Sequence, residues 1–108
     1  MSLRFDVKYE RSKKKVAKKI NLTLILETEE LYKTDPSHTK LNLKNIICKR
    51  DKHKQSIRVL GNDGYRILLT HKENIVYFQD IMNHDKYDRL TNPTSSYKKM
   101  KSLFYGIS

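Results

Sequence analysis

Arg11-Ser12-Lys13-Lys14-Lys15-Val16-Ala17-Lys18-Lys19 is the stretch on which the reading of this chain turns. Immediately before it, Leu3, Phe5, Val7 and Tyr9 alternate with Arg4, Asp6, Lys8 and Glu10. After it, Ile20, Leu22, Leu24 and Leu26 alternate with Asn21, Thr23, Ile25 and Glu27. Alternation with a period of two predicts a strand on each side, with Lys8 directed away from the core, and makes the basic run the loop of a β-hairpin. Cations at this density, with no carboxylate among them, create a positive potential that the fold itself does not require, so an anionic partner is expected. The bland reading is a solvated linker, and the flanking strand patterns favour function over it.

The whole chain shares that polarity. Its 108 residues fit one domain, and a net charge of +11 with a pI near 9.8 exceeds what solubility needs. A polyanionic partner follows, either nucleic acid or an anionic membrane surface, and composition does not separate the two. The single Cys48 excludes an intrachain disulfide, and no His or Cys pair has zinc-ligand spacing, which points to a reducing compartment. No apolar run approaches the roughly 20 residues of a membrane span, and the first residues lack a signal-peptide core. A membrane would be met at its surface.

Continuing along the chain, residues 31–34 read as a third strand and Asp35-Pro36-Ser37-His38 as a turn. Strands are expected near 39–44 and 45–50, with Cys48 as a small core hydrophobe beside Ile46 and Ile47. Ile57 and Val59 mark a sixth strand, Gly61-Asn62-Asp63-Gly64 a hairpin turn, and 65–70 a seventh strand. Thr70-His71-Lys72-Glu73 has the form of a capping box, and Ile75, Phe78, Ile81 and Met82 recur at helical spacing, predicting a helix from about 71 to 83 and at most to 90. Asn92-Pro93 ends it. The expected division is a domain over 1–91 and a basic, aromatic tail over 92–108. Its core is expected to hold Ile20, Leu22, Leu24, Leu41, Leu43, Ile57, Val59 and Phe78.

Seven short antiparallel strands closed by one C-terminal helix resemble the pleckstrin-homology (PH) superfold, a mainly β, bent sandwich or partial barrel. That resemblance implies a phosphoinositide site in the first inter-strand loop. Lys8 matches the family's first-strand Lys, and Lys18 and Lys19 stand where its second strand begins, although no Arg closes the pattern here. The implied headgroup ligands are Lys8, Arg11, Lys13, Lys14, Lys15, Lys18 and Lys19, with Tyr32 and Lys33 as a further wall. Phe78 takes the place of the family's helical Trp. The Lys/Asn/Ile-rich character is similar to the divergent domains that end the membrane-targeting subunit of fungal target-of-rapamycin complex 2. The implied role is an adaptor that recruits a signalling complex to the cytosolic face of the plasma membrane. Phosphoinositides and other subunits of that complex would be its partners.

Catalysis finds no support at this level. His38, His53, His71 and His84 share no spacing, and the acidic residues form no recognisable acid–base pair, so neither enzyme nor metal site nor cofactor is expected. The alternatives are a small RNA-binding module resembling the Alu-binding proteins of the signal recognition particle, and a protein-interaction domain. Tyr87, Tyr97 and Tyr105 beside lysines are the residues that would stack on bases.

Overall fold

The computed structural model describes residues 2–47 and 50–91. In order along the chain they form β1 (Ser2–Phe5), α1 (Val7–Val16), α2 (Leu22–Thr34), a 3-10 turn (Thr39–Leu41), β2 (Lys44–Asn45), β3 (Lys54–Val59), β4 (Asn62–Lys72), β5 (Ile75–Asn83) and α3 (His84–Thr91). The sheet order is β1-β5-β4-β3-β2. β1 runs parallel to β5, and the other pairings are antiparallel. This is a small α/β domain, and it overturns the expected seven-stranded PH sandwich.

The expected first hairpin is a pair of helices, and the basic run lies largely within the first of them. Alternation holds only as far as Phe5. Asp6 then starts α1, its carbonyl accepting from the Glu10 amide. From there Tyr9, Ser12, Lys13 and Val16 turn inward at helical spacing, while Val7 is 67% exposed. A run of Lys, Arg, Glu and Ala has good intrinsic helix propensity, which outweighs four alternating residues. In α2, Asn21 caps the start by accepting from the Thr23 amide at 2.9 Å, and Ile25, Thr28, Glu29 and Tyr32 are the buried positions. The alternating Leu22, Leu24 and Leu26 were a coincidence of spacing: Leu22 and Leu26 are exposed, and only Leu24 packs against the core.

The expected helix over 71–83 is the end of β4, a tight turn and strand β5. The capping box does not form; Glu73 instead adopts φ 58° in the tight turn between β4 and β5. Val76 and Phe78 face the core, an extra residue at Gln79 shifts the register against Leu68 and Leu69, and Ile81 then faces the core again. This β-bulge inserts one residue, so the apolar spacing becomes three where a regular strand has two and imitates a helix. A helix does follow, α3, capped by Asn83, whose side chain accepts from the Lys86 amide. The β3–β4 turn also differs from expectation. Val59 pairs with Asn62, so the turn residues are Leu60 and Gly61, and Gly61 takes the positive φ of 71° that glycine accommodates without strain.

The core lies between the sheet and α1 and α2. Phe78 is its hub: Phe5, Tyr9 and Tyr32 surround its ring with centroids 5.3 to 5.6 Å away. Of the expected core residues, Leu41, Ile57, Val59 and Phe78 are buried, Ile20 and Leu24 are partly buried, and Leu22 and Leu43 are exposed. A polar network is carried inside as well. The Tyr9 hydroxyl donates to Glu29 Oε2 at 2.7 Å, and Lys13 Nζ reaches the same oxygen at 2.9 Å. The expected core position of Cys48 and the expected tail over 92–108 lie outside the described residues.

Candidate functional site

The sheet face opposite α1 and α2 is polar where the core face is apolar. Because side chains alternate along a strand, Lys54, Ser56 and Arg58 of β3 and Arg66 and Leu68 of β4 all point to this face. α3 leans across one end of it. Tyr87 of α3 packs with Leu68, Met82 and Ile46 in a small second cluster that anchors the helix.

Arg66 is the centre of this face, and it is only 5% exposed. Its Nε donates to Ser56 Oγ at 3.0 Å, and its Nη2 donates to the carbonyl of Asn42 at 2.7 Å and that of Ser56 at 3.2 Å. Its guanidinium lies 5.1 Å from the centre of the Tyr87 ring. The Tyr87 hydroxyl and Ser56 Oγ are 2.8 Å apart. Among the described residues no carboxylate forms an ion pair with Arg66. Burial, with Arg58 as a further like charge, lowers its pKa despite the opposing influence of Tyr87, yet a guanidinium stays charged. A buried cation held by neutral groups is electrostatically incomplete, and an anion at the open side of the sheet would complete it.

His84 stands at the start of α3, one turn before Tyr87, and its Nε2 lies 3.1 Å from Asp88 Oδ2. Imidazole and carboxylate at i and i+4 share a helix face, so Asp88 orients the ring at the start of α3. Asp80, 2% exposed at the bulge, joins this end of the sheet to α1. Its Oδ1 accepts from Ser12 Oγ at 2.6 Å and from the Ile81 amide at 2.9 Å. Its Oδ2 has ion-pair contacts, without hydrogen-bond geometry, to Lys8 at 3.4 Å and Lys86 at 3.9 Å. The cations of α1 and α3 thus meet at one carboxylate.

The residues expected from the sequence to form a headgroup pocket are dispersed. Lys8, Arg11, Lys14 and Lys15 lie exposed on α1, and Lys18 and Lys19 in the turn after it. Lys13 turns inward, bridging Glu10 and Glu29, with its ammonium over the Phe5 and Tyr9 rings. Tyr32 is buried against Phe78, and Lys33 pairs with Glu30 further along α2. Arg66, Ser56, Tyr87 and His84 were missed. Their signal was an Arg directly before the apolar run Ile67-Leu68-Leu69, a position where an unpaired charge is costly unless it is used.

No protein-family model matches the chain, and no curated protein matches it. Solved structures do. YafQ from E. coli strain BL21(DE3) is similar with a TM-score of 0.64 at 9% identity, covering 80% of this chain and 96% of that one. YafQ in the E. coli DinJ–YafQ toxin–antitoxin complex is similar with a TM-score of 0.64 at 12% identity, over 79% and 93% of the two chains. A copper-bound mutant toxin from Helicobacter pylori gives 0.63 at 10% identity, over 80% and 97%. At these identities the likeness is one of fold.

That likeness, with the helical basic segment, overturns several expectations together. PH-family membership, phosphoinositide binding and a place in target-of-rapamycin complex 2 all required the run over 11–19 to be a loop between two strands, and that run lies on α1 and in the turn after it. The recruitment of a signalling complex to the plasma membrane rested on the same loop and falls with it. The expectation that the chain catalyses nothing is also corrected, because it rested on the PH reading and the fold is instead one shared with the toxins just named. The RNA-binding alternative fits these findings better than membrane binding does. No described helix is long and apolar enough to cross a membrane.

Proposed function

We propose that this chain is an endoribonuclease toxin that cuts messenger RNA at the ribosome and is silenced by a protein antitoxin. The observation that carries this reading is Arg66, a buried guanidinium without a carboxylate partner among the described residues, set beside two hydroxyls on the sheet face away from α1 and α2.

Cutting RNA by transesterification needs three things of a protein. A base takes the proton of the 2′-hydroxyl, the 2′-oxygen bonds to phosphorus, and the phosphorus–O5′ bond breaks as an acid protonates the leaving oxygen. The products are a 2′,3′-cyclic phosphate and a 5′-hydroxyl. Between them lies a phosphorane carrying extra negative charge, and a fixed cation in a water-poor site stabilises that charge most. Arg66 supplies the cation. Tyr87 and Ser56 hold its fork in place, and His84, oriented by Asp88, exchanges the proton. Lys8, Arg11, Lys14, Lys15, Lys18 and Lys19 attract the sugar–phosphate backbone of a large RNA, as the high net charge would. Among the described residues no group of three or more His, Cys, Asp or Glu side chains is placed to hold a metal ion.

The test is induced expression in a bacterial host, followed by growth measurement and mapping of new RNA 5′ ends. Wild type should arrest growth and produce ends carrying 5′-hydroxyls, and Arg66→Met and His84→Ala should do neither. RNA that is bound but left uncut by the purified wild type in a translating extract would sink the cleavage reading and leave only RNA binding.

A further inference from the structure

A cavity of about 700 Å³ opens around the β2 edge of the sheet, on the side away from Arg66. Asn45, Ile46, Ile47, Lys52, His53, Gln55 and His71 line it. Its size is that of a small-molecule site. It has the make-up of one as well, with apolar side chains beside a row of polar groups that are already hydrogen-bonded to one another.

That row runs across three strands. Asn45 of β2 and Gln55 of β3 are direct cross-strand partners, and Gln55 Nε2 donates to Asn45 Oδ1 at 2.8 Å. Gln55 Oε1 lies 2.8 Å from Nε2 of His71 on β4. A carbonyl oxygen only accepts, so His71 Nε2 carries the proton of this contact, and in the neutral ring Nδ1 is left as an acceptor. Among the described residues only the oxygen of the Asn45 amide is engaged, which leaves its two N–H groups to a ligand. The Tyr32 hydroxyl, 3.4 Å from His71 Nε2, bounds the ring from α2. A fixed donor pair and a fixed acceptor beside two isoleucines match a flat heterocycle with a polar edge, and Lys52 adds a cation at the rim.

We infer that this cavity holds one nucleobase of an RNA, and that the Asn45–Gln55–His71 chain selects which base it is. The inference rests on the RNA reading of the opposite face and adds to it a source of sequence preference. The two places are joined through one short segment. Ile46 lines the cavity and also packs against Leu68, Met82 and Tyr87, and the Asn42 carbonyl that holds Arg66 lies three residues before Asn45.

The experiment titrates the full chain with AMP, GMP, CMP and UMP while following the imidazole protons of His53 and His71 by NMR. One nucleotide should shift His71 with an affinity at least about tenfold above the weakest, the scale of one good bidentate base contact. Gln55→Leu, checked for folding by circular dichroism, should remove that difference, and Arg66→Met should keep it. In mapped RNA ends, Gln55→Leu should lose about tenfold of base preference at one position, whereas Arg66→Met should lose the cuts themselves. Equal affinities, an unmoved His71, or a preference unchanged in Gln55→Leu would overturn the inference. So would His71→Asn abolishing cleavage as fully as Arg66→Met does, which would make this cavity the cleavage centre. If the wild type cuts no RNA but still discriminates nucleotides, the cleavage reading falls and the base pocket stands.

Discussion

The two faces of the central sheet use the same strands for opposite ends. On the face under α1 and α2, Ile57, Ile67, Leu69, Val76 and Phe78 exclude water almost completely. On the other, Ser56 and Arg66 alternate with them along the same backbones, and the covering helix is one short segment held by Tyr87, Met82, Leu68 and Ile46. Burial of apolar area stabilises the first face. The second buries a charge, which costs free energy unless an anion offsets it. Stability and reactivity are therefore separable here by choosing which side of a strand to change.

The largest expected effect is on the covered face. Phe78→Ala removes a fully buried ring from the centre of three others and should cost about 3 to 5 kcal/mol of folding stability, read by urea titration. A loss under 1 kcal/mol would contradict the packing. Arg66→Met breaks the comparison from the other side. It keeps the volume and removes an uncompensated buried charge, so stability should change by no more than about 1 kcal/mol in either direction. RNA cleavage, by contrast, should fall by about 10² to 10³, the range for deleting a donor to developing negative charge. If both fell together, Arg66 would be a structural clamp and the open face would lose its proposed role.

Intermediate effects test how firmly the covered face is tied to the strands. The Thr28 hydroxyl, fully buried, donates to the Leu24 carbonyl at 2.7 Å and accepts from the Leu60 amide at 2.9 Å in the β3–β4 turn. Thr28→Val strands that amide with little change of shape and should cost about 1 to 3 kcal/mol. The Tyr9–Glu29–Lys13 network adds a pH dependence. Burial, then the Glu29 hydrogen bond, raises the Tyr9 pKa, and for Lys13 the bonds to Glu29 and Glu10 outweigh burial and raise it too. A raised folded-state pKa contributes stability that is whole below the unfolded value, near 10 for both groups, and is lost as pH climbs toward the folded one. Urea midpoints should therefore drop between about pH 10 and 12, and drop less in Lys13→Met. A flat profile in that window would count against the network.

Half of the sheet was legible in the sequence. β3 and β4 alternate for long enough, with a glycine turn between them, that periodicity alone places them, and Ile57, Val59 and Phe78 are recognisable as core. The helices were not. Val7 and Leu22 extend an alternating pattern by accident, and only the burial of Tyr9, Val16, Ile25 and Tyr32 in three dimensions reveals the 3.6 period beneath it. β5 failed for the reverse reason, its bulge at Gln79 giving a strand the spacing of a helix. The site was missed because its residues are scattered over β3, β4 and α3. The Lys-rich run, conspicuous in one dimension, drew the functional reading to itself.

That run supplies the smallest and most diagnostic prediction. Arg11 and Lys15 lie four residues apart on α1, exposed, one turn from each other and outside every ion pair found among the described residues. Each contributes only long-range attraction, which salt screens with a Debye length of about 8 Å at physiological ionic strength. Arg11→Ala or Lys15→Ala should therefore leave folding unchanged and weaken RNA binding only a few-fold. The signature lies in the salt dependence. If each cation neutralises one phosphate, each substitution should lower the slope of log affinity against log salt by about 1, whatever the RNA sequence. Arg66→Met should change the slope by a similar amount while also removing cleavage, and Gln55→Leu should leave the slope alone. Unchanged slopes for Arg11→Ala and Lys15→Ala would mean that α1 faces away from the RNA. Its cations would then be free to meet the acidic side chains of a protein partner, a result that binding of the antitoxin to the same two variants would read directly.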